Sequence, residues 1–387
     1  MSLQMDAVLA PVLAAWRAAG LRRERELLDG PQGVEPVIRG QLVLSFCSND
    51  YLGLASHPDV ATAFCRAARQ FGVGSGASHL LGGHSRAHRQ LEEELADFMG
   101  RPRALLFSTG YMANLAVATC LLGHHDAVFA DRSNHASMID AALLSRARLH
   151  RYPHANVDAL GRVLGASPAR RRLVFSDGVF SMDGDLAPLP ALARSAKSAD
   201  AWLAVDDAHG VGVLGPTGRG SLEQCGLGLA EVPILVGTFG KAFGTFGAFV
   251  AGTETLVETL IQHARPYIYT TAPPPAVAAA TIASLRLIER GDARQRLDNL
   301  IQRFRRGAAQ LGLPLKPSSS AIHPLILGAT ERAMEVSRAL RRKGLLIPAI
   351  RPPTVPAGSS RLRISLSAAH TETHVDRLLD TLSQVLR

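Results

Sequence analysis

The sequence has few cysteines, no long apolar run and no aromatic-rich basic module, and each absence removes a class of protein. The four cysteines, Cys47, Cys65, Cys120 and Cys225, form no CxxC pair. They predict free buried thiols in a reducing compartment rather than a disulfide framework. No apolar run reaches the roughly 18 residues of a membrane-spanning helix. We therefore expect a protein without a membrane segment.

The N-terminus also lacks the features of a secretory signal. It has no early positive charge, no apolar core and no small-residue cleavage site. The first 28 residues predict instead an amphipathic helix with a basic end. Cytoplasmic localisation is the expectation that follows.

The net charge of +9 is spread along the chain, with small clusters at 22–25, 170–172 and 341–343. Without aromatic residues beside these clusters, nucleic acid is not the expected partner. A basic surface would attract an acidic carrier protein or a polyanionic thioester. It could equally serve solubility alone, and the sequence leaves these two interpretations open.

Short apolar segments alternate with helical patterns through the middle of the chain. The predicted strands are Ala104–Phe107, Ala127–Ala130, Leu173–Phe175, Trp202–Val205, Ile234–Thr238 and Ala248–Ala251. The predicted helices include Met112–Leu122, Ser137–Leu144 and Pro188–Lys197. Strands that are apolar throughout suit a mainly parallel sheet covered by helices on both faces. The prediction is an α/β fold.

The pattern changes after Thr271. Pro273–Pro275 breaks the chain, a helical stretch follows over 276–310, and the last part predicts strand, helix, two strands and a helix. We predict three regions: an N-terminal segment over 1–53 beside the small domain, a large α/β domain over 54–272, and a linker helix with a small α+β domain over 273–387.

Lys241 comes three residues after the end of the predicted strand Ile234–Thr238 and stands between Gly240 and Gly244. Lysine is costly to bury, so a lysine at the end of a buried strand usually has a specific role. A phosphate-binding P-loop is excluded because Leu235 replaces its first glycine and Ala242 follows the lysine. A desolvated lysine can form a Schiff base. A surface lysine in a turn is the alternative that this segment alone leaves open.

Asp206 ends another apolar strand and is followed by Asp207 and His209. Open α/β sheets bind ligands at the carboxyl ends of their strands. An aspartate placed there could meet a buried cation, such as a protonated pyridine nitrogen, or simply cap the next turn. A metal site is disfavoured, because no second close set of His, Asp or Glu completes it.

The segment Phe107–Asn114 joins a strand to a helix and could bind phosphate. Ser108, Thr109 and the amides of Gly110 and Tyr111 would form the phosphate-binding turn at the helix N-terminus. Thr238 offers another hydroxyl at the same end of the sheet. A simple helix N-cap is the alternative.

Several histidines and glycines remain ambiguous. His135 begins a helix after a strand and could stack on a planar ring or lie on the surface. The glycine-rich stretch 72–78 lacks the third glycine of a dinucleotide-binding loop. His79, His84 and His88 suggest a metal site, but Gly82 and Gly83 interrupt any shared helical face, so we predict no metal.

Taken together, the segments resemble the α-oxoamine synthase family of fold-type-I enzymes that use pyridoxal 5'-phosphate (PLP). The matching motifs follow one order along the chain: 49–54, the glycines around Gly76, 108–111, 133–137, 178–185, 206–210 and 238–241. The resemblance implies decarboxylative condensation of an amino acid with an acyl thioester. The stretch 349–363 looks like the biotin-pathway branch, which joins L-alanine to a pimeloyl thioester carried by coenzyme A or acyl carrier protein. Members that use glycine differ there.

The resemblance also implies roles for individual residues. Lys241 would form the Schiff base and move protons, Asp206 would pair with the pyridine nitrogen, and His135 would stack on the ring. Ser181 and His209 would hold the phenolic oxygen. The phosphate is assigned to Gly110, Tyr111 and Thr238, and to Thr270 and Thr271 across a homodimer with shared active sites. The substrates are assigned to Arg22, Asn49, His135, Thr354 and Arg363.

The loop at 79–84 departs from the family pattern. His79 stands where family members often have arginine, and Leu80–His84 is altered as well. These loops lie near the substrate entrance in the family, so fine selectivity is the property that the departure puts in doubt.

Overall fold

The computed structural model describes residues 4–386, so Met1–Leu3 and Arg387 of the predicted regions lie outside it. The chain divides into two compact units. One comprises 49–298 and the other 4–48 with 299–386. The division falls at Ser48/Asn49 and at Asp298/Asn299, whereas our boundaries at 53/54 and 272/273 stay a prediction.

The unit 49–298 is built around a seven-stranded sheet. Its strands are β4 (Arg103–Phe107), β5 (Ala127–Asp131), β6 (Arg148–Tyr152), β7 (Arg172–Asp177), β8 (Trp202–Asp206), β9 (Ile234–Thr238) and β10 (Ala248–Gly252). Their order is β4-β10-β9-β8-β7-β5-β6, and β10 runs antiparallel to both of its neighbours. The other described pairs are parallel. This confirms the mainly parallel sheet.

The six predicted strands are confirmed, but β6 was missed. Its sequence, RLHRY, is polar, and only Tyr152 is buried. It lies at the edge of the sheet. The polar side chains of β6 remove the continuous apolar pattern that identified the others, whereas β4, at the other edge, keeps that pattern.

Helices cover the sheet. They are α2 (Pro58–Phe71), α3 (Arg86–Met99), α4 (Gly110–Leu121), α5 (Ala136–Leu144), α6 (Val157–Gly165), α7 (Leu189–Ser198), α8 (Ser221–Gln224), α9 (Glu254–His263), α10 (Arg265–Ile268) and α11 (Pro275–Arg290). A short 3-10 helix spans His79–Leu81. Apolar residues of α4, α5 and α9 form one buried cluster with the strands. The three helices that we predicted here correspond to α4, α5 and α7 and are confirmed within a few residues.

The predicted helix over 276–310 is two helices. α11 ends at Arg290 and α12 (Asp292–Gln310) begins after Gly291, whose φ is +81°. A left-handed residue ends an α-helix, and glycine adopts that conformation without strain. The predicted helical stretch is therefore confirmed, with a break at Gly291 that the prediction did not include.

The other unit is an α+β structure. It contains α1 (Gln4–Ala18), β1 (Val37–Ile38), β2 (Gln41–Leu42), β3 (Leu44–Ser45), β11 (Ile322–Gly328), α13 (Thr330–Arg342), β12 (Leu345–Leu346), β13 (Ala349–Ile350), β14 (Ser360–Ser365) and α14 (Glu372–Leu386). The strands β11, β14 and β13 form an antiparallel sheet, and β3 pairs with β12. The predicted small α+β domain is confirmed as a fold class.

Two sequence predictions need correction. The N-terminal helix ends at Ala18, before the basic cluster at 22–25, and Gly20 adopts a φ of +66° just beyond it. Its basic end is therefore only Arg17. The cysteines form no disulfide in the part of the chain described, but none of the four is fully buried: Cys65 is exposed, and Cys47, Cys120 and Cys225 are partly buried. Among residues 4–386, no helix is long and apolar enough to span a bilayer.

Candidate active site

The ends of three parallel strands bring the predicted polar residues to one edge of the sheet. Asp177 ends β7 and pairs in register with Asp206, which ends β8. Asp206 in turn pairs with Val236 on β9, two residues before Thr238. Lys241 follows Thr238 by three residues, in a turn. Lys241 therefore lies at the same edge as Asp206, where α/β sheets bind ligands.

Asp206 is held by two donors. It is 6% exposed. Its Oδ2 accepts a hydrogen bond from Nδ2 of Asn114 at 2.6 Å, and its Oδ1 accepts one from the amide of Ala208 at 3.0 Å. A buried carboxylate held in this way is suited to pairing with a cation. Asn114 had no predicted role, because its position on α4 gives no sign of a contact with β8.

His135 caps the N-terminus of α5. Its amide donates to Oδ2 of Asp177 at 2.9 Å, and its Nδ1 lies 2.7 Å from Oγ of Ser137. Partial desolvation lowers the pKa of His135, an effect that Asp206 opposes and Lys241 reinforces. The residue nevertheless stays exposed. A neutral imidazole with an accessible surface is suited to stacking on a planar ring.

Two further carboxyls lie beside Asp206. Burial raises the pKa of Asp177 well above its usual range, and Asp206 raises it further. Burial also raises the pKa of Asp207 to about 7, although hydrogen bonding from Ser221 lowers it. These shifts favour the neutral forms of Asp177 and Asp207. They reduce the negative charge that surrounds Asp206.

His209 is oriented by a tyrosine that the sequence analysis missed. Its Nδ1 lies 2.6 Å from the hydroxyl of Tyr51, and that hydroxyl donates to Oδ1 of Asn49 at 3.2 Å. His209 is 6% exposed and Tyr51 is 1% exposed. Asn49 and Tyr51 belong to the predicted motif 49–54, but 158 residues separate Tyr51 from His209. Only the fold could reveal the pair.

The start of α4 lies beside the end of β9, where the phosphate-binding turn was predicted. Thr109 caps the helix by accepting a hydrogen bond from the amide of Met112 at 3.1 Å. A methyl group placed on Gly110 would lie 3.9 Å from Cβ of Thr238, so the two segments are adjacent. The first amides of α4 face no acceptor of their own helix and can bind an anion.

The remaining predicted cofactor residues lie on connecting segments. Ser181 lies in a turn after β7 and is partly buried. Thr270 and Thr271 follow α10, and Thr271 is exposed. Their roles stay predictions.

Three predicted substrate residues lie in the unit 4–48 with 299–386. Arg363 is 5% exposed on β14, and its Nη1 donates to Oγ of Ser365 at 2.8 Å. Arg22 lies in an exposed segment, and Thr354 is exposed and accepts a hydrogen bond from Arg23 at 3.2 Å. Their assignment to the substrates stays a prediction.

His79, His84 and His88 share no helical face, as expected, but a turn at Gly82 still brings their rings together. Nδ1 of His79 lies 2.9 Å from Nδ1 of His84, and Nε2 of His88 lies 2.7 Å from the carbonyl oxygen of Pro273. Burial lowers the pKa of all three. His88 thus joins α3 to the segment after α10, and the glycine-rich loop is joined to the same segment by the hydroxyl of Ser75, which donates to the carbonyl oxygen of Pro273 at 2.7 Å. Our prediction of no metal here stays a prediction.

The arrangement fits the cofactor that the resemblance implies. Asp206 could pair with a pyridine nitrogen, His135 could stack on the ring, and the amides of Gly110 and Tyr111 could receive a phosphate. Lys241 interacts electrostatically with His135, Asp177 and Asp207. The residues predicted for these four functions therefore lie at one edge of the sheet.

Comparisons with known proteins agree with this geometry. The profile of the family described as Aminotransferase class I and II matches residues 42–382. A curated protein of Nitrosococcus oceani, named 8-amino-7-oxononanoate synthase, is 61% identical over 95% of this chain and 97% of its own length. One of Thioalkalivibrio sulfidiphilus with the same name is 59% identical over 96% of this chain and 95% of its own.

Solved structures share the fold. A serine palmitoyltransferase of S. paucimobilis with a bound PLP–myriocin aldimine superposes with a TM-score of 0.93 at 33% identity, over 100% of this chain and 98% of that one. The 8-amino-7-oxononanoate synthase of Francisella tularensis superposes with a TM-score of 0.78 at 33% identity, over 89% and 98%.

Proposed function

The chain belongs to the aminotransferase class I and II family, and from that premise we propose that it catalyses the PLP-dependent condensation of L-alanine with a pimeloyl thioester in biotin biosynthesis. The products are 8-amino-7-oxononanoate, CO2 and the free thiol of the carrier. The observation that carries the proposal is the group of Lys241, Asp206, His135 and His209 at one sheet edge. Relatives 57–61% identical bear the name of this activity.

Lys241 would hold PLP at its amino group, and the cofactor would supply a conjugated ring that withdraws electrons from the amino acid. Asp206 would stabilise a positive charge on the ring nitrogen, because its carboxylate is buried and fixed by Asn114. Tyr51 keeps His209 in one orientation, so that its other ring nitrogen can face the phenolic oxygen.

Lys241 also moves the proton. Once alanine has displaced it from the cofactor, the neutral amine of Lys241 would accept the Cα proton of alanine. That carbon would bond to the carbonyl carbon of the pimeloyl group as the carbon–sulfur bond breaks, and the sulfur would leave as a thiolate that takes a proton from water. Loss of CO2 and return of a proton to the same carbon complete the reaction. Arg363 remains the residue predicted to bind the carboxylate of the amino acid.

A homodimer with shared active sites is part of the proposal. Three apolar side chains near the predicted interface are widely exposed: Val73 at 86%, Leu81 at 81% and Tyr269 at 72%. Thr270 and Thr271 directly follow Tyr269 and would reach the partner's phosphate. Light scattering should give twice the 41.2 kDa of one chain, and Leu81→Asp should shift the mass towards one chain. A monomeric wild-type protein would contradict this part.

The test of the function is a panel of substrates. L-Alanine, glycine and L-serine would each be combined with pimeloyl-coenzyme A, pimeloyl-acyl carrier protein and palmitoyl-coenzyme A, with CO2 release and product mass as the measurements. We expect turnover with alanine and a pimeloyl thioester. Lys241→Ala should abolish both turnover and the visible absorption of bound PLP, whereas Lys197→Ala, on the exposed side of α7, should change neither. Turnover by Lys241→Ala would refute the assignment.

A further inference from the structure

A chain of hydrogen bonds beneath the site joins Asp206 to His135 through two residues without an assigned role. Asn114 on α4 is 1% exposed and Ser137 on α5 is fully buried. Nδ2 of Asn114 lies 2.6 Å from Oδ2 of Asp206 and 2.9 Å from Oγ of Ser137. Oγ of Ser137 lies 2.7 Å from Nδ1 of His135. These hydrogen bonds therefore connect Asp206, which would pair with the ring nitrogen, to His135, which would stack on the ring.

The chemistry of the groups fixes the direction of each hydrogen bond. An ionised carboxylate only accepts, so the side of the Asn114 carboxamide that faces Asp206 must be its NH2 group. One of its two hydrogens is donated to Asp206 and the other to Ser137. Since the Ser137 hydroxyl accepts from Asn114, its own hydrogen remains available for Nδ1 of His135.

Nδ1 of His135 is consequently an acceptor. A second donor agrees, because the amide of Ser137 also points at Nδ1, at 3.3 Å. In a neutral imidazole, an acceptor at one nitrogen places the proton on the other. Partial desolvation lowers the pKa of His135 and so favours this neutral form. The proton of the ring therefore lies on Nε2.

We propose that Asn114 and Ser137 are positioning residues that hold the Asp206 carboxylate and fix His135 as the tautomer protonated on Nε2. The His135 ring then offers an N–H donor at Nε2 to the space above the cofactor ring. The position of this N–H beside the cofactor rests on the proposed function, whereas the hydrogen bonds are properties of this chain alone.

The unpartnered side of Asn114 supports a role beyond packing. Its Oδ1 is buried and has no hydrogen-bond partner among residues 4–386. A buried polar atom without a partner costs free energy, so an apolar residue would serve packing better at this position. The contact of Nδ2 with Asp206 and Ser137 is the gain that offsets this cost.

The first experiment measures the tautomer directly. The full chain, loaded with PLP and labelled with 15N-histidine, would be studied by long-range 15N–1H NMR, with His135→Gln identifying the signal. We expect the Nε2-protonated pattern in the wild type and a measurable Nδ1-protonated fraction in Ser137→Ala. Ser145→Ala, which removes a buried hydroxyl at the end of the same helix, should leave the pattern unchanged. An Nδ1-protonated wild type, or no change in Ser137→Ala, would overturn the proposal.

The second experiment measures how much the hydrogen bond from Asn114 to Asp206 contributes to PLP affinity. We expect PLP to bind about 10- to 100-fold more weakly to Asn114→Ala, the loss typical of a hydrogen bond to a charged group. Thr119→Ala, which removes a hydroxyl bonded to its own helix on α4, should bind PLP as the wild type does. Thermal unfolding of each variant without PLP separates loss of folding from loss of the contact. Affinity within twofold of the wild type in a folded Asn114→Ala would overturn the assignment.

The two proposals can fail separately. A chain that shows these tautomer and affinity changes but condenses no amino acid with any thioester would refute the proposed function and support the positioning roles. A chain with the proposed activity and an unchanged His135 signal in Ser137→Ala would do the opposite.

Discussion

The two ends of the central sheet differ sharply in chemistry. At the carboxyl ends of β5, β7 and β8 lie Asp131, Asp177 and Asp206, each no more than 6% exposed. At the opposite end, Trp202 and Ile234 line a cavity of about 390 Å3 whose walls are mostly apolar. Burying a carboxyl is costly unless it is paired or hydrogen-bonded. The carboxyl edge is therefore where this sheet concentrates buried carboxyls that need hydrogen-bond or charge partners.

Of the substitutions that compare the two ends of the sheet, Asp206→Asn should lower turnover the most. The amide cannot balance a positive ring nitrogen, so we expect turnover to fall by about 100-fold or more. Steady-state kinetics with saturating PLP would measure it. Asp158→Asn makes the same change on the exposed face of α6 and should have no effect. Turnover within threefold of the wild type in Asp206→Asn would remove the carboxylate from the mechanism.

Tyr51→Phe should cause the next largest fall in turnover. It removes the hydroxyl that lies 2.6 Å from His209 and keeps the buried ring. Loss of one hydrogen bond that orients a site residue should lower turnover by about 10-fold. The melting temperature should change little, because the phenyl ring still fills the space. A fall in stability without a fall in turnover would show that Tyr51 serves the core instead.

The ion pairs of His154 at the carboxyl edge should make the stability of the fold depend on pH. Its ring lies 3.1 Å from Asp131 and 2.8 Å from Asp185, and hydrogen bonds to these carboxylates raise its pKa to about 10. The usual pKa of histidine is about 6.5. A group whose pKa is higher in the folded than in the unfolded protein stabilises the fold. This stabilisation is complete below the pKa of the unfolded protein, and it is lost as the pH rises through the pKa of the folded protein.

The melting temperature of the wild type should accordingly fall between about pH 7 and pH 10 by more than that of His154→Gln. The difference between the two curves isolates His154 from tyrosines and lysines that titrate in the same range. Parallel curves would show that the ion pairs do not contribute to stability.

Trp202→Ala at the opposite end should have the smallest effect. Trp202 is 39% exposed, so we expect a loss of about 1 kcal/mol in the free energy of unfolding. PLP affinity and turnover should not change. Denaturant unfolding and PLP titration would measure the two quantities, and a loss of PLP affinity would show that the ends of the sheet are coupled.

The sequence by itself determined the elements that follow a local rule. Five of the six predicted strands of the sheet are apolar throughout and bounded by turns. Asp206 and the segment 108–111 each directly follow such a strand, and Lys241 lies three residues after Thr238, the end of the sixth. Because the carboxyl ends of parallel strands meet at one edge, their chemistry could be predicted without coordinates. The strand β6 and the break at Gly291 were not predicted, because the polar sequence of β6 and the left-handed conformation of one glycine leave weak local signals.

Only the tertiary structure decided which side chains hold the site in place. Asn114 contacts Asp206 across 92 residues, and Tyr51 contacts His209 across 158. Nothing local in the sequence distinguishes such a residue from one that merely fills its helix or loop. The three histidines at 79–88 show the same limit, since a single turn at Gly82 gathers them. Strand ends follow from the local pattern, whereas hydrogen-bond partners follow from how distant segments pack.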